Sequence, residues 1–210
     1  QINVQGGGSS AGITAVKNGA ADIGTSSREL SEDEAKGIVK YELARDGIVI
    51  VVNPENPVAE LSKEQVRDIF SGKTKDWSQV GGKRQKIMVV IREEGSGTRG
   101  AFEEIVMEGE RLVADAIVQG STGAVRQTVS SDPTAVGFIS LASMSEAVKA
   151  VVVDGAKADA ESILSGDYKL ARPFYFLTRG EPQGMVKEFV DYALGAKGKE
   201  VAREAGLVAK

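Results

Sequence analysis

The chain has 210 residues, of which 41% are hydrophobic and 5% aromatic, with 26 Lys and Arg against 30 Asp and Glu and neither Cys nor His. This excludes a disulfide framework, a thiolate or imidazole zinc site, a Cys nucleophile and a Ser-His-Asp triad, and leaves carboxylate, hydroxyl, ammonium and guanidinium chemistry. The mild acidity gives no broad basic face for nucleic acid, and no apolar run approaches the roughly 18 residues of a membrane span, so a small partner is expected.

Along the chain, short β-rich runs alternate with helical stretches, the pattern of an α/β fold. Ile2 to Gln5 alternates like a strand. A helix from Ala11 to Lys17 ends at Asn18-Gly19, and Ile23 to Thr25 reads as a strand. Ser31 followed by Glu32-Asp33-Glu34 is an N-cap with an acidic first turn. The nearly all-apolar run Gly47 to Asn53 is expected as a strand buried on both faces. Its exit through Asn53-Pro54 and Asn56-Pro57 marks a domain crossing. Ser62 and Gln65 form a capping box for a helix from Lys63 to Phe70. Ile87 to Arg92 follows as a strand and Arg99 to Met107 as a helix, then a helix Gly123 to Ser130 and strands Gly137 to Ser140 and Ala150 to Val153. A helix at Glu161 to Leu164, a strand Pro173 to Thr178 and a long helix Pro182 to Ala205, broken near Gly195 to Gly198, complete the reading. The expected lobes are discontinuous: 1–52 with 173–210, and 53–172.

Three Gly/Ser/Thr loops precede helices: Gly6 to Gly12, Arg92 to Thr98 and Gly120 to Gly123. A helix N-terminus presents unpaired N–H groups and partial positive charge, Gly lets the backbone close on a ligand, and hydroxyls add donors. Any one loop reads most plainly as a helix cap, whereas the three together favour anion binding. Arg92 adds a guanidinium that can grip a tetrahedral oxyanion through two parallel hydrogen bonds. No Lys follows the second Gly of that loop, so it is not a nucleotide P-loop. A fourth segment, Ala21 to Leu30, runs from a strand into Ser26-Ser27-Arg28; Arg28 there reads equally as a solvated surface charge and Asp22 as a structural acceptor for backbone N–H groups.

Gln5-Gly-Gly-Gly-Ser9-Ser10-Ala-Gly, Ala21-Asp-Ile-Gly-Thr-Ser-Ser27-Arg28-Glu-Leu, Arg92-Glu-Glu-Gly-Ser96-Gly97-Thr98-Arg, Ser121-Thr-Gly-Ala-Val and Val136-Gly-Phe-Ile follow one another in this order. Together they resemble the phosphate-binding proteins of ABC phosphate-uptake transporters. The resemblance implies a type II periplasmic-binding-protein fold, two α/β lobes with a ligand cleft between them. It implies inorganic phosphate, or a similar tetrahedral oxyanion, held by Ser9 and Ser27 in the first lobe and by Arg92, Ser96, Gly97 and Thr98 in the second, with Arg28 and Ser121 as additions. Arg92 is expected to be the strongest contributor of its lobe. Neither a cofactor nor a metal is implied. The partner implied is an ABC transporter permease, and the location periplasmic or extracellular, with anchorage through a segment outside this chain.

Two departures from the family pattern stand out. A carboxylate that in some members accepts the proton of hydrogen phosphate, and so rejects sulfate, falls where this chain has Ser27; Asp22, Glu93 and Glu94 are the nearby acids. Members also carry a strand, a ligand-touching loop and a helix ahead of the Gln-Gly-Gly-Gly-Ser loop. The chain begins after them, so self-association through an open sheet edge is expected. An enzyme acting on phosphate groups and a truncated, non-binding relative are the competing readings. Binding without turnover distinguishes the receptor from both.

Overall fold

The structure is a computed structural model that describes residues 2–209. In chain order its elements are α1 (Gly8–Lys17), β1 (Gly24–Ser26), α2 (Glu32–Ala35), β2 (Ile38–Val52), β3 (Glu60–Leu61), α3 (Lys63–Phe70), β4 (Met88–Arg92) and α4 (Gly97–Phe102). They continue with β5 (Ile117–Gln119), α5 (Thr122–Ser131), β6 (Ala135–Ser140), β7 (Lys149–Ala150), β8 (Val152–Val153), α6 (Ala160–Ser165), β9 (Ala171–Arg179), α7 (Gly184–Leu194) and α8 (Ala196–Glu204). A π-helical turn, Glu103–Met107, directly continues α4.

The chain forms two compact units. The first comprises Gln1–Asp46, Glu94–Ala101 and Arg172–Lys210; the second comprises Gly47–Glu93 and Phe102–Ala171. The segment Glu94–Ala101 thus groups with the first unit, whereas the lobes expected from sequence place all of Arg92 to Thr98 in the second.

In the first unit the strand order is β1-β9-β2, with β1 antiparallel to β9. Ile13 and Val16 of α1 pack on Tyr175 and Leu177 of β9, flanked by Leu30 and Ile38. Gly12 and Gly24 make this packing close: a Cβ at Gly12 would lie 2.7 Å from the Thr25 carbonyl oxygen, and one at Gly24 only 2.5 Å from that of Gly12. Without side chains at this contact, α1 lies directly on β1. The helix begins at Gly8, three residues before the expected start, so Ser9 sits in its first turn.

In the second unit, β6 pairs antiparallel with β2, and β4 runs parallel to both β6 and β5. Val49, Val51, Val90, Val125, Val129 and Ile139 form its aliphatic core. Phe102 stacks on Phe138 at 4.2 Å and tilts against Phe70 at 4.7 Å. The capping box of α3 forms as expected: the Gln65 N–H donates to Ser62 Oγ at 3.1 Å and the Ser62 N–H to Gln65 Oε1 at 2.8 Å.

Some expectations need correction. Ile2 to Gln5 is not a strand; Ile2 and Val4 are 70% and 89% exposed, and an isolated strand without a ladder partner has nothing to hold it. The buried strand begins at Ile38, nine residues before Gly47, because its first part alternates apolar with charged side chains and only its second part is apolar throughout. The C-terminal helical stretch divides at Gly195 into α7 and α8, inside the expected break.

Candidate functional site

The first unit brings three of the sequence-flagged segments together. With α1 pressed on β1, the first turn of the helix meets the end of the strand, and the Ser27 N–H donates to Ser9 Oγ at 3.0 Å. The two hydroxyls lie 3.5 Å apart. Gly97, the first residue of α4, is seated against both. A Cβ there would fall 2.0 Å from Ser9 Oγ and 2.2 Å from Ser27 Oγ, closer than any real side-chain carbon can come. Ser9, Ser96 and Thr98 are buried. No side chain caps α1, and of its first-turn N–H groups that of Ser10 reaches the Gly95 carbonyl at 3.3 Å. The Ser96 hydroxyl accepts from the Arg99 N–H at 3.3 Å and so caps its own helix.

The loop carrying Ser27 is held residue by residue. Arg28 forks onto Glu34 at 2.7 and 2.8 Å and reaches Ser10 Oγ at 3.3 Å. Those guanidinium bonds hold the Glu34 carboxyl at about 2, well below the usual carboxylate range, against the opposing effect of burial. Glu29 accepts from the Tyr175 hydroxyl at 2.6 Å and from Lys40 at 2.8 Å. Burial alone would raise its pKa, but the bonds from Lys40 and Tyr175 bring it below the ordinary value. The Tyr175 hydroxyl is pushed up, first by burial and then by the Glu29 carboxylate.

Beneath Ser27 lies a group that the sequence reading missed. Arg172 Nη1 donates to the Ser27 carbonyl oxygen and to Ser27 Oγ, each at 3.2 Å. Its Nε and Nη2 donate to Asp46 Oδ2 at 3.1 and 2.8 Å. The two side chains are 2% and 0% exposed. A signal existed: each is a charge abutting an apolar run, Asp46 before Gly47-Ile48-Val49-Ile50 and Arg172 before Pro173-Phe174. A fully buried charge persists only when paired and hydrogen-bonded.

The second unit contains the other two flagged residues. Arg92, at the end of β4, directs Nε and Nη2 at the Glu93 carboxylate, each at 2.8 Å, and Nη1 at Thr122 Oγ1, also at 2.8 Å. The guanidinium is thus matched by its neighbour's carboxylate. Ser121 accepts from the Ala124 N–H at 3.1 Å and caps α5, so it is the adjacent Thr122 that meets Arg92. Of the acids considered near Ser27, Glu93 is engaged by Arg92 and Asp22 lines a separate hollow with Gly19, Arg179 and Glu181. Among the described residues no group of acidic side chains could hold a metal ion, and no helix is long and apolar enough to cross a membrane.

Residues 1–197 match the model of the PBP superfamily domain. The chain is 36% identical over 195 residues to the phosphate-binding protein PstS of Bacillus subtilis, covering 91% of this chain and 65% of that one. It is 41% identical over 132 residues to PstS 2 of Streptococcus agalactiae, covering 58% and 45%. The chain therefore spans under two thirds of the length of these relatives. Among solved structures, one is a substrate-binding protein ascribed to a phosphate ABC transporter of Clostridium perfringens, with bound phosphate. It superposes with a TM-score of 0.92 at 36% identity, over 97% of this chain and 85% of that one. An ABC-type phosphate transport receptor from Vibrio cholerae gives 0.87 at 38% identity, over 99% and 88%. The α/β architecture, the ordered motifs and these likenesses agree: the chain belongs to the PBP superfamily, and its relatives there are the phosphate-binding proteins named PstS.

Proposed function

We propose that this chain is an extracytoplasmic solute-binding protein that captures inorganic phosphate and delivers it to an ABC transporter permease. The observation that carries the reading is the convergence of Ser9, Ser27 and Gly97. Two hydroxyls and the start of α4 meet at the uncapped first turn of α1, a set of donors suited to a dehydrated tetrahedral oxyanion without a metal. The names of the relatives support the choice of phosphate among oxyanions. In the second unit, Arg92 with Thr122 supplies a further set of donors to this reading, with Ser121 shaping the turn beside them.

Calorimetric titration of the chain with phosphate tests the proposal. Binding without turnover is the expected result, and Gly97→Ala should reduce affinity by more than about tenfold, since the added methyl must displace both hydroxyls. Phosphate release from a phosphoester substrate would favour an enzyme, and no heat of binding would favour a relative that has lost its ligand. Self-association belongs to the same reading. β1 ends the strand order of its unit, and light scattering of the chain should reveal a species larger than the monomer.

A further inference from the structure

Ser27 stands on a buried arginine, and the wiring of that arginine has a consequence for binding. Its guanidinium has two working edges. One, Nε with Nη2, is committed to Asp46 Oδ2; the other, Nη1, reaches Ser27 at both its carbonyl and its hydroxyl oxygen. The Ser27 N–H is simultaneously committed to Ser9 Oγ. The backbone of Ser27 is therefore pinned on both sides. Because Oγ accepts from a fixed N–H, the hydroxyl proton is directed away from Arg172, on the side where the start of α4 lies. The pair occupies no surface that a ligand could touch.

We propose that Arg172, backed by Asp46, is a positioning residue that fixes the Ser27 hydroxyl as a hydrogen-bond donor toward the bound oxyanion. This rests on the reading of Ser9, Ser27 and Gly97 as an oxyanion site. The chemistry explains the choice of arginine. A lysine ammonium could still neutralise Asp46, but it is a compact point charge on a flexible stem and cannot hold two partners on opposite edges of one plane. Arg172 also lies with its guanidinium carbon 5.6 Å from the centre of the Phe174 ring, a contact that favours the flat cation in this place.

The test is a double-mutant cycle read in phosphate affinity, with thermal unfolding measured on every variant. Arg172→Lys should weaken phosphate binding about tenfold, the worth of a charge-assisted hydrogen bond, in the parent chain. In the Ser27→Ala background the same change should cost less than about twofold, because the group through which Arg172 acts is gone. Arg172→Met serves as the stability control: it strands Asp46 and lowers the unfolding temperature more than Arg172→Lys does. Equal losses from Arg172→Lys in both backgrounds, or parent-like affinity in Arg172→Lys, would overturn the role and leave the oxyanion site standing. Failure of the parent chain to bind phosphate would overturn the function and this role with it.

Discussion

Two arginines, one in each unit, are wired alike and placed differently. Arg172 and Arg92 each direct Nε and Nη2 at a carboxylate and Nη1 at a side-chain hydroxyl, Ser27 in one case and Thr122 in the other. Arg172 and Asp46 are 2% and 0% exposed, whereas Arg92 and Glu93 are 12% and 36% exposed. Removing either partner of the buried pair leaves a charge in a dry interior, so the pair is suited to holding something else in place. The outer pair can be opened: Glu93 reaches water, and a tetrahedral oxyanion offers a guanidinium the same two acceptor oxygens as the carboxylate it would replace. On the proposed reading, one arginine sets geometry and the other exchanges partners.

The largest effect should come from breaking the buried pair. Asp46→Ala leaves Arg172 uncompensated and should cost about 3 to 5 kcal/mol of stability. Replacing both partners together, Asp46→Leu with Arg172→Met, should recover most of that loss. Urea unfolding of the single and double variants measures both numbers. A single variant within about 1 kcal/mol of the parent would mean that water reaches the pair and that the contrast with Arg92 is false.

The outer pair should respond in affinity instead. Arg92→Ala should weaken phosphate binding by about tenfold or more, the loss of one charged hydrogen-bonding group. Glu93→Gln should act the other way and tighten binding by about two- to fivefold, the worth of one exposed ion pair no longer competing for the guanidinium. Neither change should move stability by more than about 1 kcal/mol. Weaker phosphate binding in Glu93→Gln would show that the carboxylate orients Arg92 and does not compete for it.

The contrast also separates what the sequence makes visible from what it hides. Arg92 and Glu93 are neighbours in a Gly/Ser/Thr loop, so their chemistry can be read locally, although not that one neutralises the other. Capping boxes and apolar runs are local as well, and α3 forms with the bounds its Ser62 and Gln65 announce. Asp46 and Arg172 are 126 positions apart and meet only because β2 and β9 are neighbours in the sheet, a fact of topology that no short window contains. The same holds for the charged first part of β2, whose place in the fold depends on that neighbour, and for Glu94–Ala101, whose contacts belong to the first unit although its strand belongs to the second. Ser121 and Thr122 differ by one position, and only backbone geometry decides which of them caps the helix and which meets Arg92.

A third arginine pair tunes the comparison at the small end. Arg28 and Glu34 are 16% and 27% exposed at the side chain, between the other two, and they brace the loop that carries Ser27. The Glu34 carboxyl is held down from an ordinary 4.5 to about 2, chiefly by its hydrogen bonds from Arg28. A carboxyl whose folded pKa is depressed stabilises the fold fully above its unfolded pKa and loses that contribution as pH falls toward the folded one. The window here is therefore from about pH 4.5 down to about pH 2. Partial exposure screens the pair, so its contribution at neutral pH should be about 1 kcal/mol. Glu34→Gln should lower stability by that amount at pH 7, by less as pH falls through about 2, and should match the parent only below that, where the parent's carboxyl has taken up its proton. Denaturant unfolding of both proteins across this window provides the check. Parallel curves, separated by the same amount at pH 7 and at pH 2, would show that the brace is steric and owes nothing to the charge on Glu34.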